Sequence, residues 1–341
     1  MSTLDVYPYY YPTTVYIVDD NMDFLTNFSL QLDEKLAYRL YNSPNAALKE
    51  VNHKLLASRT AQTSLYRHIG GTLPRKQYNS VELDMFVFAK DIRNPSRFAE
   101  NSVIIVDYDM PGIDGISFCR LIDNPCVQKI LISGVADEKI AVEAFNEGII
   151  DKFVLKGSDE KTKLVNDYIT ESQNAYFKTK TAPVISAAIS GGLYDFLRDD
   201  KFAAMFREMR QRHSIAEYYL TTDPCGFLMI NATGDLFFLL IFTLEEFNTH
   251  ADIIQDQHGP AELYNLVKER SGIPLFDSAD GYYTPEVQNW RSYVYPVEKL
   301  QGTGIHYTLI ENPSFYNDIS GHVYYYDKYL ESLDYSLRKP H

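Results

Sequence analysis

Four times in the first half of the chain, a short apolar run stops on a polar residue. TVYIV (14–18) ends on Asp19 and Asp20, SVIIV (102–106) on Asp107, KILI (129–132) on Ser133 and FVL (153–155) on Lys156. Runs this short and this rich in β-branched residues read as strands buried on both faces, so they belong to a parallel sheet rather than to amphipathic hairpins. A strand of that kind tolerates an ionised end only where the charge is solvated, paired or bound to a cation. The polar residues therefore mark one rim of one sheet.

The segments between the runs carry helical periodicity. Leu25, Phe28 and Leu32 share a face after the first run. LAYRLY (36–41) reads as a strand, and SPNAALKEV (43–51) as a helix with Ser43 as N-cap and Pro44 at its first position. ISFCRLI is a short helix with Phe118, Leu121 and Ile122 inward. DEKIAVEAFNEG is a helix with Ile140, Ala141, Ala144 and Phe145 as its apolar side, ended by Gly148, and a long helix follows Ser158 as its cap. Strand and helix alternate five times, which predicts a doubly wound, five-stranded parallel sheet of flavodoxin-like α/β type. Residues 52–100 break the alternation and read as an insertion, tolerated because lengthening a surface connection costs only about 0.6 kcal/mol per doubling.

After residue 178 the pattern changes. The expected organisation is a first domain over 1–178, a linker over 179–184 and a second domain over 185–341. The second domain opens with a helix bearing Phe202, Met205, Phe206 and Met209. The strand-like runs AEYYL, GFLMIN and DLFFLLIF follow, then helices near 244–257 and 260–270. WRSYVYPV and GIHYTLIEN read as a strand pair. Short turns between neighbouring strands predict an antiparallel sheet and an α+β class. A closing helix carries Val323, Tyr326, Leu330 and Leu333 on one side, which reads as docked on its own domain, or more pointedly as a dimer contact.

The net charge is -14, and ten of those charges fall after residue 180, which argues against binding a nucleic-acid backbone. Three scattered cysteines exclude a disulfide framework, and no apolar stretch approaches membrane-spanning length. The first residues lack the cationic and apolar parts of a secretory signal, so a cytoplasmic location is expected. The histidines have no metal-ligand spacing. His250 and His258 read as solvated, RDD (198–200) and LEE (244–246) as helix-surface and helix-start charges, and the paired glycines at 70–71 and 191–192 lack any phosphate-loop companions.

Carboxylates gathered at one rim repel unless a cation lies among them, and an all-oxygen set suits Mg²⁺. Mg²⁺ and a lysine ammonium together would neutralise a phosphoryl group in transfer, with a carboxylate as nucleophile. The acidic pair Asp19–Asp20, the segment VDYDMPGIDG, LISG and FVLK resemble the receiver domain of two-component response regulators in this order and on these strands. The resemblance implies Asp107 as phosphoacceptor, and Asp19, Asp20, Asp107 and the backbone of Asp109 as the Mg²⁺ site. It implies Ser133 and Lys156 as the groups that grip the phosphoryl, and Phe153 as the aromatic that swings inward on activation.

It further implies a sensor histidine kinase as partner, a phosphorylation-dependent homodimer, and no enzymatic activity beyond the protein's own phosphorylation and dephosphorylation. Two departures stand out: Gly157 where the family usually has proline, and the insertion. The segments GVADEKIAVEAFNEGIIDKF and GFLMINATGD resemble a proteobacterial group of quorum-sensing response regulators, implying a non-standard output domain. That domain reads as an interaction or small-ligand module, or alternatively as an enzyme or nucleotide- or nucleic-acid-binding effector. Haloacid-dehalogenase-type phosphatases share the order Asp107, Asp109, Ser133, Lys156, but they place the acids on their first strand and add others after the lysine.

Overall fold

The computed structural model describes the chain except residues 1–5, 54–66, 69–80, 83–91, 135–137, 157–160, 191–193, 223, 277–280, 314–322 and 335–341. Gly157, the Ser158 cap, both glycine pairs and most of the insertion lie outside the described residues. The chain divides into two units, Tyr7–Gly192 with Tyr324–His341, and Met1–Val6 with Leu193–Val323.

The first unit is built on five parallel strands: β1 (Thr14–Val18), β2 (Tyr38–Tyr41), β3 (Asn101–Asp107), β4 (Gln128–Ser133) and β5 (Lys152–Leu155). Their order is β2-β1-β3-β4-β5, the doubly wound arrangement expected. All seven residues of β3 are buried, as a central strand covered on both faces must be. Val15, Ile17, Val103, Ile105, Ile130, Ile132 and Val154 alternate onto one face. There they meet Leu25 and Phe28 of helix α1 (Met22–Ser29) and Val165 and Ile169 of a long helix described below. Ser43 caps α2 (44–53), with Pro44 at its start.

Helix α3 (Gly115–Arg120) is shorter than expected. It ends before Leu121, which is half exposed, and only Phe118 of the expected inward trio is buried. Helix α4 (Glu138–Asn146) buries Ala141 and Ala144 but exposes Ile140 and Phe145. A small-residue stripe lies closer to the sheet than a bulky one, so the large side chains take the flanks.

The expected linker at 179–184 is helical: α5 runs without interruption over Lys161–Ser190 with Pro183 inside it. Buried positions continue along it through Tyr176, Phe177 and Thr181, past the point where composition suggested a break. Lys180 explains the continuation. Its ammonium pairs with Glu100 at 2.6 Å, their side chains being only 6% and 15% exposed. Tyr11 and Tyr176 donate hydrogen bonds to the same carboxylate.

At the margins of the expected insertion, residues 52 and 53 are helical with α2, and the turn Pro95–Arg97 leads into β3 with Ile92, Arg97 and Phe98 buried. The closing helix α9 (Tyr326–Asp334) packs on this first unit, not on the domain that precedes it in sequence. Tyr326 Oη donates to Lys35 O at 2.7 Å and accepts from Ala37 N at 3.0 Å. Arg97 donates to Tyr324 O at 2.6 Å.

In the second unit a turn at Asp195–Arg198 precedes α6 (Asp200–Arg212), which Asp199 caps. Strands β6 (Ile215–Thr222), β7 (Cys225–Asn231) and β8 (Leu236–Phe242) form an antiparallel meander. Helices α7 (Leu244–Asp256) and α8 (Ala261–Lys268) follow, α7 opening with the Thr243–Glu246 capping box. Phe206 anchors the core, its ring 4.7 Å from Phe227 and 4.9 Å from Tyr218.

The expected pairing of WRSYVYPV with GIHYTLIEN does not form. Trp290–Tyr293 is a helical turn, and β10 (Val294–Pro296) pairs with β9 (Gly272–Pro274). Strand β12 (His306–Glu311) pairs with β8 and with the short β11 (Glu298–Lys299). His258 is exposed as expected, but His250 is not solvated: its ring lies against Tyr282 at 4.8 Å, and burial pulls it down to about 4.

Candidate functional site

Register brings the polar strand ends level. Val18 pairs with Val106, Asp107 with Ile132, and Ser133 with Leu155. Backbone bonds extend the alignment one step beyond the strands: Tyr108 N to Ile132 O at 2.9 Å and Lys156 N to Ser133 O at 2.7 Å. Asp19, Asp107, Ser133 and Lys156 thus stand along one C-terminal rim, where ligands of open α/β sheets bind.

Three of the carboxylates converge. Asp19, Asp20 and Asp107 each offer an oxygen within 4.8 Å of the others, and they form the metal-capable cluster among the described residues. Asp19 and Asp107 are buried while Asp20 is exposed, so the cluster opens to water on one side. Lys156 bridges it, with Nζ 2.7 Å from Asp107 Oδ1 and 2.9 Å from Asp19 Oδ2. Burial pushes the Asp107 carboxyl above its ordinary value, and Asp19 adds to this against the opposing pull of Lys156. Burial also pulls the Lys156 ammonium down, but its bonds to Asp107 and Asp19 outweigh that and hold it above its ordinary value. A donor set of three carboxylates with an open side fits Mg²⁺, which takes oxygen ligands and keeps several waters.

The remaining expected residues sit as follows. Ser133 is fully buried at the end of β4, its hydroxyl donating to Gly134 O at 3.2 Å. Asp109 is exposed in the loop after β3. Phe153 is half-buried on β5, opposite Leu131 and three residues before Lys156.

The loop from Asp107 to α3 is tied tightly. Asp114 caps α3 by accepting from Ser117 N at 2.8 Å, and Gly115 N donates to Tyr108 O at 2.9 Å. A Cβ on Gly115 would stand 2.3 Å from Asp107 O, so only glycine fits there.

Two residues at the rim were not among the expected ones. Asn21 caps α1 by accepting from Asp23 N and Phe24 N, both at 3.0 Å, while its own N donates to Asp19 Oδ1 at 2.8 Å. Phe24 places its ring 4.4 Å under the Lys156 ammonium. The sequence signal for Asn21 is a capping residue directly after the acidic pair. Phe24 has none, because it falls outside the inward face of Leu25, Phe28 and Leu32.

The doubly wound sheet with an acidic cluster and a lysine at its C-terminal rim gives the first unit a receiver-like fold, and the whole chain is similar to a response regulator of known structure. It is similar over 97% of its length to 97% of the Legionella pneumophila response regulator LqsR, at 28% identity and a TM-score of 0.76. Two further structures overlap about half of the chain. One is an adenylate cyclase from Rhodopirellula baltica (19% identity, 51% of this chain and 96% of that one, TM-score 0.34). The other is a CheY-like receiver domain protein from Methanospirillum hungatei (16% identity, 49% and 98%, TM-score 0.31). No family model and no curated protein matches the chain. No helix among the described residues is long and apolar enough to cross a membrane.

Proposed function

We propose that Asp107 is the phosphoacceptor of this response regulator, receiving a phosphoryl group from a sensor histidine kinase with Mg²⁺ as cofactor. The observation that carries the reading is the Lys156 ammonium bridging Asp107 and Asp19, with Asp20 completing a three-carboxylate cluster. Asp19, Asp20 and Asp107, with the backbone carbonyl of Asp109, would hold Mg²⁺, which supplies positive charge against the transferring phosphoryl. An Asp107 oxygen attacks phosphorus, the bond from phosphorus to the kinase imidazole breaks, and an acyl phosphate results. Lys156 turns from carboxylate to phosphoryl oxygen, and the Ser133 hydroxyl donates to another. The new charge, about -1.5 to -2 at neutral pH, draws Ser133 toward the rim, and Phe153 turns inward behind it.

The output follows as a population shift toward a homodimer, which needs a bias of about 5.5 kcal/mol to pass from nearly off to nearly on. The acidity of the second unit and its aromatic sheet support an interaction module rather than an enzyme or a nucleic-acid binder. Similarity to LqsR across both units supports a signalling role of the same kind in the cytoplasm, for which quorum sensing is the proposed context. Treating the protein with a small phosphodonor and Mg²⁺ tests the reading by intact mass and by size-exclusion. Wild type should gain one phosphoryl group and shift toward dimer, and Asp107→Asn should do neither. A wild type that stays unmodified would remove the phosphoacceptor assignment.

A further inference from the structure

The Lys156 ammonium is held from beneath as well as from its sides. Asp107 and Asp19 take its hydrogen bonds at 2.7 and 2.9 Å, and the Phe24 ring centroid lies 4.4 Å away. The placement of that ring is itself determined. Phe24 N donates to Asn21 Oδ1, and Asn21 N donates to Asp19 Oδ1. The ring stacks on Phe28 at 5.4 Å and 22°, and Phe28 is part of the buried core beneath β1. The contacts close a circuit from Asp19 through Asn21 and Phe24 to Lys156 and back to Asp19.

The two kinds of partner differ in one respect that matters during transfer. When a phosphoryl group joins Asp107, Lys156 must give up carboxylate contact for a phosphoryl oxygen. The attraction of an ammonium to an aromatic face does not depend on which anion takes its protons. The Lys156 side chain is 30% exposed, and a four-carbon stem released from its carboxylates has open water to move into. The ring is a contact that the exchange itself does not require Lys156 to break.

We infer that Phe24 is a positioning residue for Lys156: its ring face keeps the ammonium over the rim so that it meets the phosphoryl oxygen instead of swinging into solvent. The inference rests on the reading of Asp107 as phosphoacceptor. It separates Phe24 from an ordinary core wedge, because a wedge needs only volume, whereas this role needs an aromatic face.

Two variants of the full chain distinguish these. Phe24→Leu keeps an apolar side chain without a quadrupole, and Phe24→Tyr keeps the ring. The probe is beryllium trifluoride with Mg²⁺, a mimic of the phosphoryl group, titrated alongside Mg²⁺ alone. Phe24→Leu should bind the fluoride complex about three- to tenfold more weakly, the range set by a partly desolvated cation–π contact. Its affinity for Mg²⁺ alone should not fall, since a looser ammonium competes less for Asp19 and Asp107, and Phe24→Tyr should restore binding of the mimic. The inference is overturned if Phe24→Leu binds the mimic as wild type does, or if it loses Mg²⁺ affinity in the same proportion. A wild type that fails to bind the mimic at all would instead bring down the phosphoacceptor reading, and this inference with it.

Discussion

The hydroxyl of Tyr329 in α9 lies 2.8 Å from Oγ1 of Thr14, the first residue of β1. Residues 315 apart in sequence meet at the N-terminal end of the sheet, opposite the rim that carries Asp107. Thr14 Oγ1 also donates to Phe98 O at 2.7 Å, and the Phe98 ring lies 5.3 Å from Tyr326 and 5.5 Å from Tyr329. Helix α9 is thus a structural part of the first unit, and most of the second unit, Leu193–Val323, is chain between α5 and α9.

Tyr326→Phe should therefore weaken the first unit although it lies far along the sequence from every strand of its sheet. The substitution leaves Ala37 N and Lys35 O without their buried partner. The expected cost is about 1–3 kcal/mol, read as a lower urea midpoint for the transition of the first unit. An unchanged midpoint would show that α9 merely rests on the surface.

The Glu100–Lys180 pair predicts a pH effect whose sign can be reversed. Burial pushes the Glu100 carboxyl up, but Lys180 and the two tyrosine hydroxyls outweigh this and hold it below its ordinary value. A depressed carboxylate contributes stability that is present above the unfolded value, about 4.3, and is lost as pH falls through the lower folded value. In Lys180→Met, burial acts unopposed by an ammonium, and Glu100 should rise above its ordinary value. The variant should lose about 3–5 kcal/mol at neutral pH and recover part of it on acidification, the opposite slope to wild type. Urea midpoints measured across the acid range check both signs.

Gly115→Ala should disturb the backbone at Asp107, the proposed phosphoacceptor, without touching any charged group. Its Cβ would meet Asp107 O at 2.3 Å and Leu131 Cδ1 at 2.8 Å. Relief requires moving either the backbone that presents Asp107 or the start of α3. The expected result is a loss of about 1–3 kcal/mol in stability together with slower phosphoryl uptake from a small donor. Normal uptake would show that the loop relaxes away from Asp107.

Lys156 and a divalent cation compete for the same carboxylates. Lys156→Met should bind Mg²⁺ several-fold more tightly, because the ammonium no longer occupies Asp19 and Asp107, yet accept phosphoryl groups poorly. Calorimetric titration with Mg²⁺ beside phosphodonor kinetics separates the two effects. Unchanged Mg²⁺ affinity would mean that the ammonium and the ion do not share ligands.

The rim was legible because its signal is local: each strand's apolar run ends where β-branched residues give way to Asp19, Asp107, Ser133 or Lys156, and parallel register sets those ends level. The path of α5 was not legible. Lys, Thr and Pro at 178–184 resemble a linker until Lys180 is seen against Glu100, a contact that no window of sequence contains. The same holds for α9, whose apolar stripe says that it docks but not where. Bonds to Lys35 and Ala37 decide that. Phe24 escaped for a different reason: it falls outside the inward face of Leu25, Phe28 and Leu32, and only the folded structure brings its ring against both Phe28 and Lys156.

The measurement that bears most directly on the central claim is reductive trapping of the phosphorylated protein followed by peptide mapping. Borohydride converts an aspartyl phosphate to homoserine and leaves free aspartate intact. After treatment with a phosphodonor and Mg²⁺, the peptide containing Asp107 should carry homoserine at that position, and Asp19, Asp20 and Asp109 should be recovered unchanged. Homoserine at another position, or none in a protein that binds Mg²⁺, would contradict the account.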